Sequence, residues 1–436
     1  MKKITLTIIL IITLAIFATP ILGGFMAERI IKRVTNNINR ENANIGADIS
    51  LEITRYDRNL FSSQIEWKIK SGFLKRLYDI DEVLFTENAK HGFAGIVSST
   101  SLEKNGWFKE FINNRLDGKN PLKVKTKYNY IGNIKNIITT DSFILKEGKE
   151  IYNFMPANIY VAFDKKIKNV LIKADFKGLS AADRLILNDI SLNLKGKKAA
   201  KYIWEDNTVL SVKKIYVKDF NDYFEISDAK LDYSANFDKA KDVLSFKIGS
   251  GFESALFEAE KKEEEVKNAS LKLEINGVNA KGYNNLIKTY YQKVYEISKH
   301  LKKEDFIEEQ AIFFGAQMIE AYEKLLKKGL EFKVSDLKAE VKEGKIKGNI
   351  SLALKKDITL ATLFPIIINP LTALDIIDLK SDIILPYKLA MDEQELLYPI
   401  YPGMNTGLFV KKGDNLVHNA ETKDGKLILN GEELIF

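Results

Sequence analysis

Between residues 48 and 281, apolar and polar residues alternate one for one in short runs that close on small or polar residues. Ile65-Glu66-Trp67-Lys68-Ile69-Lys70, Ile190-Ser191-Leu192-Asn193-Leu194-Lys195-Gly196 and Leu271-Lys272-Leu273-Glu274-Ile275-Asn276-Gly277 are examples. Successive side chains of a strand point to opposite faces, so this period predicts half-buried antiparallel strands. No fixed longer repeat accompanies them, which argues against a solenoid. The Glu-rich stretch 261–267 is expected to be a solvated loop between two strands. Gly249-Ser250-Gly251 lacks the third glycine of a phosphate loop and is expected to mark a bulge or hairpin.

The first residues set a second constraint. Met1, Lys2 and Lys3 precede an uncharged run over residues 4–27, about the 20 residues that a helix needs to cross a bilayer. A cleaved signal peptide is the rival reading, but Ile16, Ile21 and Phe25 fall where cleavage wants a small residue. Residues 1–27 are therefore expected to be an uncleaved transmembrane anchor, and 28–47 a juxtamembrane helix with Ile30, Ile31, Val34 and Ile38 on one side. Arg29, Lys32, Arg33 and Arg40 outnumber Lys2 and Lys3, so the positive-inside rule alone would leave the body in the cytoplasm.

Residues 282–329 change to helical spacing, with Leu286, Ile287, Tyr290, Tyr291, Val294 and Ile297 followed by Phe306, Ile307, Ile312, Phe313, Tyr322 and Leu325. A helical hairpin is predicted there, breaking near Lys302-Lys303-Glu304-Asp305. A second β-rich region, 330–436, follows, with strands near 331–334, 340–341 and 348–354 and a closing meander that turns at Asp424-Gly425. Within it, 360–374 is unusually apolar, and Leu363, Phe364, Ile366 and Ile367 are candidate contacts for lipid or protein. The same stretch also reads as a buried connector.

Lys and Arg number 66 against 59 Asp and Glu, and most of the resulting +7 sits in residues 1–33. No concentrated basic face remains for nucleic acid. The chain has no cysteine, which removes disulfides and thiolate metal sites. Its 3 histidines, His91, His300 and His418, form no close pair, so neither a metal nor another cofactor is expected. His300 and His418 read as solvated surface residues. No nucleophile elbow or phosphate loop occurs. His91 is the one weak catalytic candidate, and its plainer reading is a turn residue hydrogen-bonded to backbone.

Tyr56-Asp57-Arg58-Asn59-Leu60-Phe61-Ser62-Ser63, Val83-Leu84-Phe85 leading to Lys90-His91-Gly92, and Asp424-Gly425-Lys426-Leu427-Ile428-Leu429-Asn430-Gly431 together resemble the YdgA-like family of bacterial inner-membrane-anchored proteins. Asn59 and Phe93 depart from its usual Gly and Pro. The resemblance implies a periplasmic body and transfers no catalytic residue. Tyr56, Arg58, Phe61, Ser62, Ser63, His91 and Gly92 are the motif positions that it marks, with structural roles expected. The fold expected is α+β, a transmembrane helix and then a predominantly antiparallel, curved and elongated sheet with the helical hairpin inserted. The function expected is non-catalytic, a membrane-anchored envelope protein presenting an apolar β-surface or groove to lipid or a partner protein. An envelope hydrolase using His91 with an acidic partner, or a structural spacer, is the alternative.

Overall fold

A computed structural model describes residues 2–44, 47–103, 105–182, 184–219, 222–259, 262–300, 318, 321–359, 361–362 and 370–434. The side chains of 1–21 and 293–300 are outside this description, as are Leu363, Phe364, Ile366, Ile367 and most of the second helix expected within 282–329. Every strand pairing reported below is antiparallel, and the chain divides into two compact units.

In the first unit, strands β1 (Ile49–Arg58), β2 (Ser62–Ser71), β3 (Glu82–Gly92), β4 (Gly95–Leu102), β5 (Leu122–Tyr128) and β6 (Asn133–Thr140) pair in sequence order. Strands β7 (Phe143–Glu147) and β8 (Glu150–Phe154) form a hairpin. β9 (Ala157–Asp164) returns to pair with β6, and β10 (Asn169–Ala181) pairs with both β9 and β8. One continuous helix, α1 (Lys2–Asn44), lays its C-terminal half on this sheet. Ala27, Ile31 and Val34 are buried among Ile65, Ala89, Ile96, Tyr128 and Ile134. Asn39 then brackets the edge strand, donating to Leu51 O (2.7 Å) and accepting from Leu51 N (2.8 Å). A bare sheet edge invites intermolecular pairing, and here the helix occupies it. The expected juxtamembrane helix is thus part of the core of this unit rather than a free spacer. Among the described residues, no helix is long and apolar enough to cross a membrane.

The strands that follow are long. β11 (Leu185–Lys198) is divided between the units; β12 (Trp204–Asp219), β13 (Asp222–Asp238), β14 (Val243–Ala259) and β15 (Lys262–Asn279) belong to the second. There β12 to β15 pair in order and continue into β16 (Glu331–Val341), β17 (Gly344–Leu354) and β18 (Ile377–Pro386). β18 pairs with β20 (Asn415–Lys423), whose other edge takes β19 (Val410–Lys412) and β21 (Lys426–Leu429). The helix α4 (Ala280–His300) packs its start against Leu244 and Val278, where Tyr283 meets Phe246 at 5.5 Å between ring centroids.

Several expectations need correction. Residues 262–267 are strand, because Glu263, Glu264 and Glu265 pair with Glu258, Phe257 and Leu256 of β14. Their charges stay solvated while the backbone continues the ladder. Gly249 and Gly251 lie within β14, not at a turn; a Cβ on Gly251 would meet Ala269 O at 2.7 Å. The two strands expected at 331–334 and 340–341 are one, β16. Among the described residues, four α-helices were not expected: α2 (Gly72–Tyr78), α3 (Gly106–Arg115), α5 (Tyr387–Asp392) and α6 (Gln394–Asn405); the last two, with Leu385, Ala390, Ile400 and Leu416, close one end of the second unit's sheet. Asp424 and Gly425 both have positive φ (53° and 75°), the conformation of a type I′ hairpin turn, as the sequence pattern indicated.

Candidate functional site

On the first unit's sheet, β1 to β6 turn one set of side chains toward α1. Register places Tyr56, Ile65 and Glu87 in one row and Arg58, Ser63, Ala89, Ser98, Thr126 and Asn136 in the next. A row so rich in hydroxyls and amides is unusual for an inner face, and its buried members are hydrogen-bonded, as burial requires. Ser63 Oγ lies 2.9 Å from His91 Nε2, with both residues buried. Glu87, only 2 % exposed, receives Trp67 Nε1–H at 2.8 Å on one oxygen, and Tyr128 Oη–H at 2.8 Å together with the Ser98 hydroxyl on the other. Thr126 Oγ1 donates to Asn136 Oδ1 at 2.8 Å. Among the described residues, three neutral donors and no cation bond this buried carboxylate.

Around this ladder the helix supplies the cover. A Cβ on Gly24 would fall 2.7 Å from His91 Cε1, so only glycine lets the backbone approach the imidazole. The neighbouring Gly23 faces Tyr130, whose hydroxyl donates to Gly92 O. Arg58 Nη1 donates to Glu28 Oε2 at 2.8 Å, and its guanidinium stacks 3.5 Å over the Phe25 ring. Burial, ahead of the nearby Glu28 and Glu87 carboxylates, holds the Tyr56 phenol above its ordinary value, with Ser63 pulling the other way. Burial and then Glu87 push the Tyr128 phenol well up.

Four of the motif positions therefore come together: Tyr56, Arg58, Ser63 and His91 face Gly24, Phe25 and Glu28 of α1. Ser62, Phe61 and Gly92 do not join them. Phe61 is 51 % exposed at the β1–β2 turn, and Gly92 ends β3 beside Gly95. A Ser–His pair can activate a hydroxyl only if the histidine is oriented and the serine is reachable. Here Glu87 is committed to Trp67, Ser98 and Tyr128, and Gly24 lies on the imidazole. The arrangement favours a helix seat over a nucleophile.

Sequence reasoning missed Glu87, Ser98 and Tyr128. The available signal was parity: Glu87 shares its face with Phe85, Ala89 and His91, which put a carboxylate at an inward position. His418 was misread as a surface residue. It is buried, its Nε2 2.6 Å from Ser381 Oγ and its Nδ1 2.9 Å from Leu408 O. A carbonyl only accepts, so Nδ1 carries a proton toward Leu408 O. The sequence tied this histidine to no partner because Ser381 is 37 residues away.

The second unit's sheet has two unlike faces. On one, Ala235, Phe246, Ile275, Phe332, Leu352 and Leu379 are successive cross-strand neighbours, and the adjoining row is Tyr233, Ile248, Leu273, Val334, Ile350, Ser381 and Ala420. On the other, Ser234, Lys247, Glu274, Lys333, Ser351, Lys380 and Glu421 follow one another. An open groove of about 670 Å³ on that polar face includes Glu331, Lys333, Ser351, Asp378 and Lys380. Its carboxylates already accept from neighbours, Ser351 and Asn276 on Glu331 (2.9 Å each) and Thr422 on Asp378 (2.8 Å). Among the described residues, no group of three or more His, Asp or Glu could hold a metal ion.

Neither a curated protein nor a solved structure matches the chain. A family model matches residues 1–435, and the chain belongs to that family, the bacterial proteins of unknown function DUF945.

Proposed function

We propose that this chain is a non-catalytic, membrane-tethered protein of the bacterial envelope whose second unit offers an apolar sheet face to lipid. The uncharged run N-terminal to Gly23 holds it in the inner membrane with the body in the periplasm, as the YdgA-like resemblance implies. The observation that carries the reading is the pair of apolar rows running across β13 to β18. Six strands at about 4.8 Å spacing make such a row roughly 24 Å long, on the scale of an extended acyl chain. Ile248 (44 %), Ile275 (38 %) and Phe332 (44 %) remain exposed on it. An apolar surface of this extent, backed by a face rich in charged and hydroxyl side chains, marks a binding surface more often than ordinary exterior. The close approach of Ser63 to His91 is what supports the hydrolase alternative; the helix cover over it weighs against that reading.

Photo-crosslinking residues substituted for Ile248 and Phe332 in the intact envelope test the proposal. Lipid adducts at these two positions, absent when the crosslinker replaces Lys247 on the polar face, are expected. Adducts to protein alone, or none above the Lys247 background, would sink the lipid assignment.

A further inference from the structure

At one end of the first unit, the turns β1–β2, β3–β4, β5–β6 and β9–β10 lie side by side, because the strands form an antiparallel succession. Three of them carry large apolar side chains in the open: Leu60 (62 %) and Phe61 on the first, Phe93 (55 %) on the second, Ile131 (74 %) on the third. The helix α1 passes this same end at Gly23 and Gly24, which touch Tyr130 of the third turn and His91 just before the second. Leu22 (59 %) and Phe25 (54 %) are exposed there too. N-terminal to Gly23 the helix continues without a break through its uncharged run.

Behind these tips the outer sheet face is basic. Lys127 and Lys135 are direct cross-strand partners, Lys90 sits in the same row through Val97, and the β9–β10 turn adds exposed Lys166 and Lys168. Like charges placed directly opposite on a sheet repel, and an anionic surface relieves that repulsion. Carboxylates at this end are engaged: Glu28 by Lys32 and Arg58, and Asp164 by the backbone N–H groups of Lys166 and Asn169. Ile144, Ile151 and Met155, which are also exposed, lie toward the opposite end of the strands, where β8 pairs with the last residues of β10.

We infer that the Leu60–Phe61, Phe93 and Ile131 turns form a collar that inserts into the headgroup region of an anionic bilayer around the emerging helix. The lysines behind them meet the lipid phosphates. Apolar tips backed by cations are the chemistry of interfacial membrane contact. The inference rests on the membrane tether proposed above and adds that the body is docked on the surface rather than suspended from it.

The chain has no cysteine, so single labels can be placed cleanly. Full-length Leu60→Cys, Phe93→Cys, Ile131→Cys, Ile151→Cys and Leu10→Cys variants, each carrying an environment-sensitive fluorophore, are reconstituted in vesicles of phosphatidylethanolamine and phosphatidylglycerol containing spin-labelled lipid. Quenching by half or more at 60, 93 and 131 and little at 151 is expected, and replacing phosphatidylglycerol by phosphatidylcholine should reduce it. Quenching at 10 alone, with 60, 93 and 131 as bright as 151, would overturn the collar and leave the tether standing. Quenching at the three turns without position 10 would keep the collar and remove the span. No quenching at any of the four would remove both.

Discussion

Gly24 of the N-terminal helix rests against the imidazole of His91, 67 residues further along the chain, with no room for a methyl group between them. The contact fixes how closely α1 approaches the sheet, since Ala27, Ile31 and Val34 follow on the same helix face. Overpacking at such a point costs about 1–3 kcal/mol, because the helix must lift or the ring must leave its rotamer. Gly24→Ala is therefore expected to lower the thermal midpoint of the first unit, and Gly24→Val to lower it further. Gly106, which has nothing within 4 Å, is the matched control for the loss of a glycine. Equal midpoints for the Gly24 and Gly106 alanine variants would contradict the seat.

Glu87 is the group on which the buried polar ladder converges. Replacing it with leucine would strand the Trp67 N–H and the Tyr128 and Ser98 hydroxyls, at about 1–3 kcal/mol for each donor that finds no other partner. Glu87→Gln is milder but not neutral. The Trp67 nitrogen only donates, so the new amide must turn its NH2 toward Ser98 and Tyr128, which can accept. Urea denaturation should show the leucine variant destabilised by several kcal/mol and the glutamine variant by about 1 kcal/mol. A leucine variant as stable as the parent would mean that the ladder is held by packing alone.

Much of this architecture was legible in the sequence. The period-two runs around Trp67, Leu192 and Leu273 became β2, β11 and β15, because alternation directly reports a half-buried strand. The Asp424-Gly425 turn was legible for a backbone reason, since both residues tolerate positive φ. What escaped depended on contacts distant in sequence. Parity along β3 turns Glu87 inward, but nothing local names its partners; Ser98 and Tyr128 sit on two other strands, and only the assembled register puts them within reach. The helices over 387–405 were hidden by Pro399 and Pro402 in a segment bordered by strand patterns. The Glu-rich start of β15 was misread for the opposite reason: charge at a strand end reports solvation of side chains, not absence of backbone pairing.

Alkaline stability separates burial from bonding at Tyr56. Its hydroxyl is buried and makes no hydrogen bond among the described residues, while burial raises its phenol above the ordinary 10.0. Tyr128 is raised as well, by burial and by Glu87. The unfolded chain releases these protons near pH 10 while the folded chain retains them, so the folded state binds more protons and stability falls as the pH rises past 10. Tyr56→Phe removes one of these titrations and a hydroxyl with no partner. It is expected to leave neutral-pH stability unchanged or improved and to flatten the alkaline decline, followed by denaturant midpoints between pH 8 and about 11.5. A steeper decline in the phenylalanine variant would reverse the assignment.

Arg58 joins helix to sheet in two ways at once, through its bond to Glu28 and its stacking over Phe25. Both side chains of the ion pair are about one-third exposed (31 % and 27 %), so the Coulombic part is screened and contributes at most about 1 kcal/mol. The planar stack depends on the guanidinium, and lysine cannot reproduce it. Arg58→Lys should therefore keep the attraction to Glu28 yet lose about 0.5–1 kcal/mol. Glu28→Gln should cost less than Arg58→Ala, because it leaves the stack in place. A double-mutant cycle of Arg58→Ala with Phe25→Leu measures the coupling directly. A coupling energy near zero would show that Arg58 serves only as a counter-ion, and that the helix is seated at this end by Gly23, Gly24 and Ala27 alone.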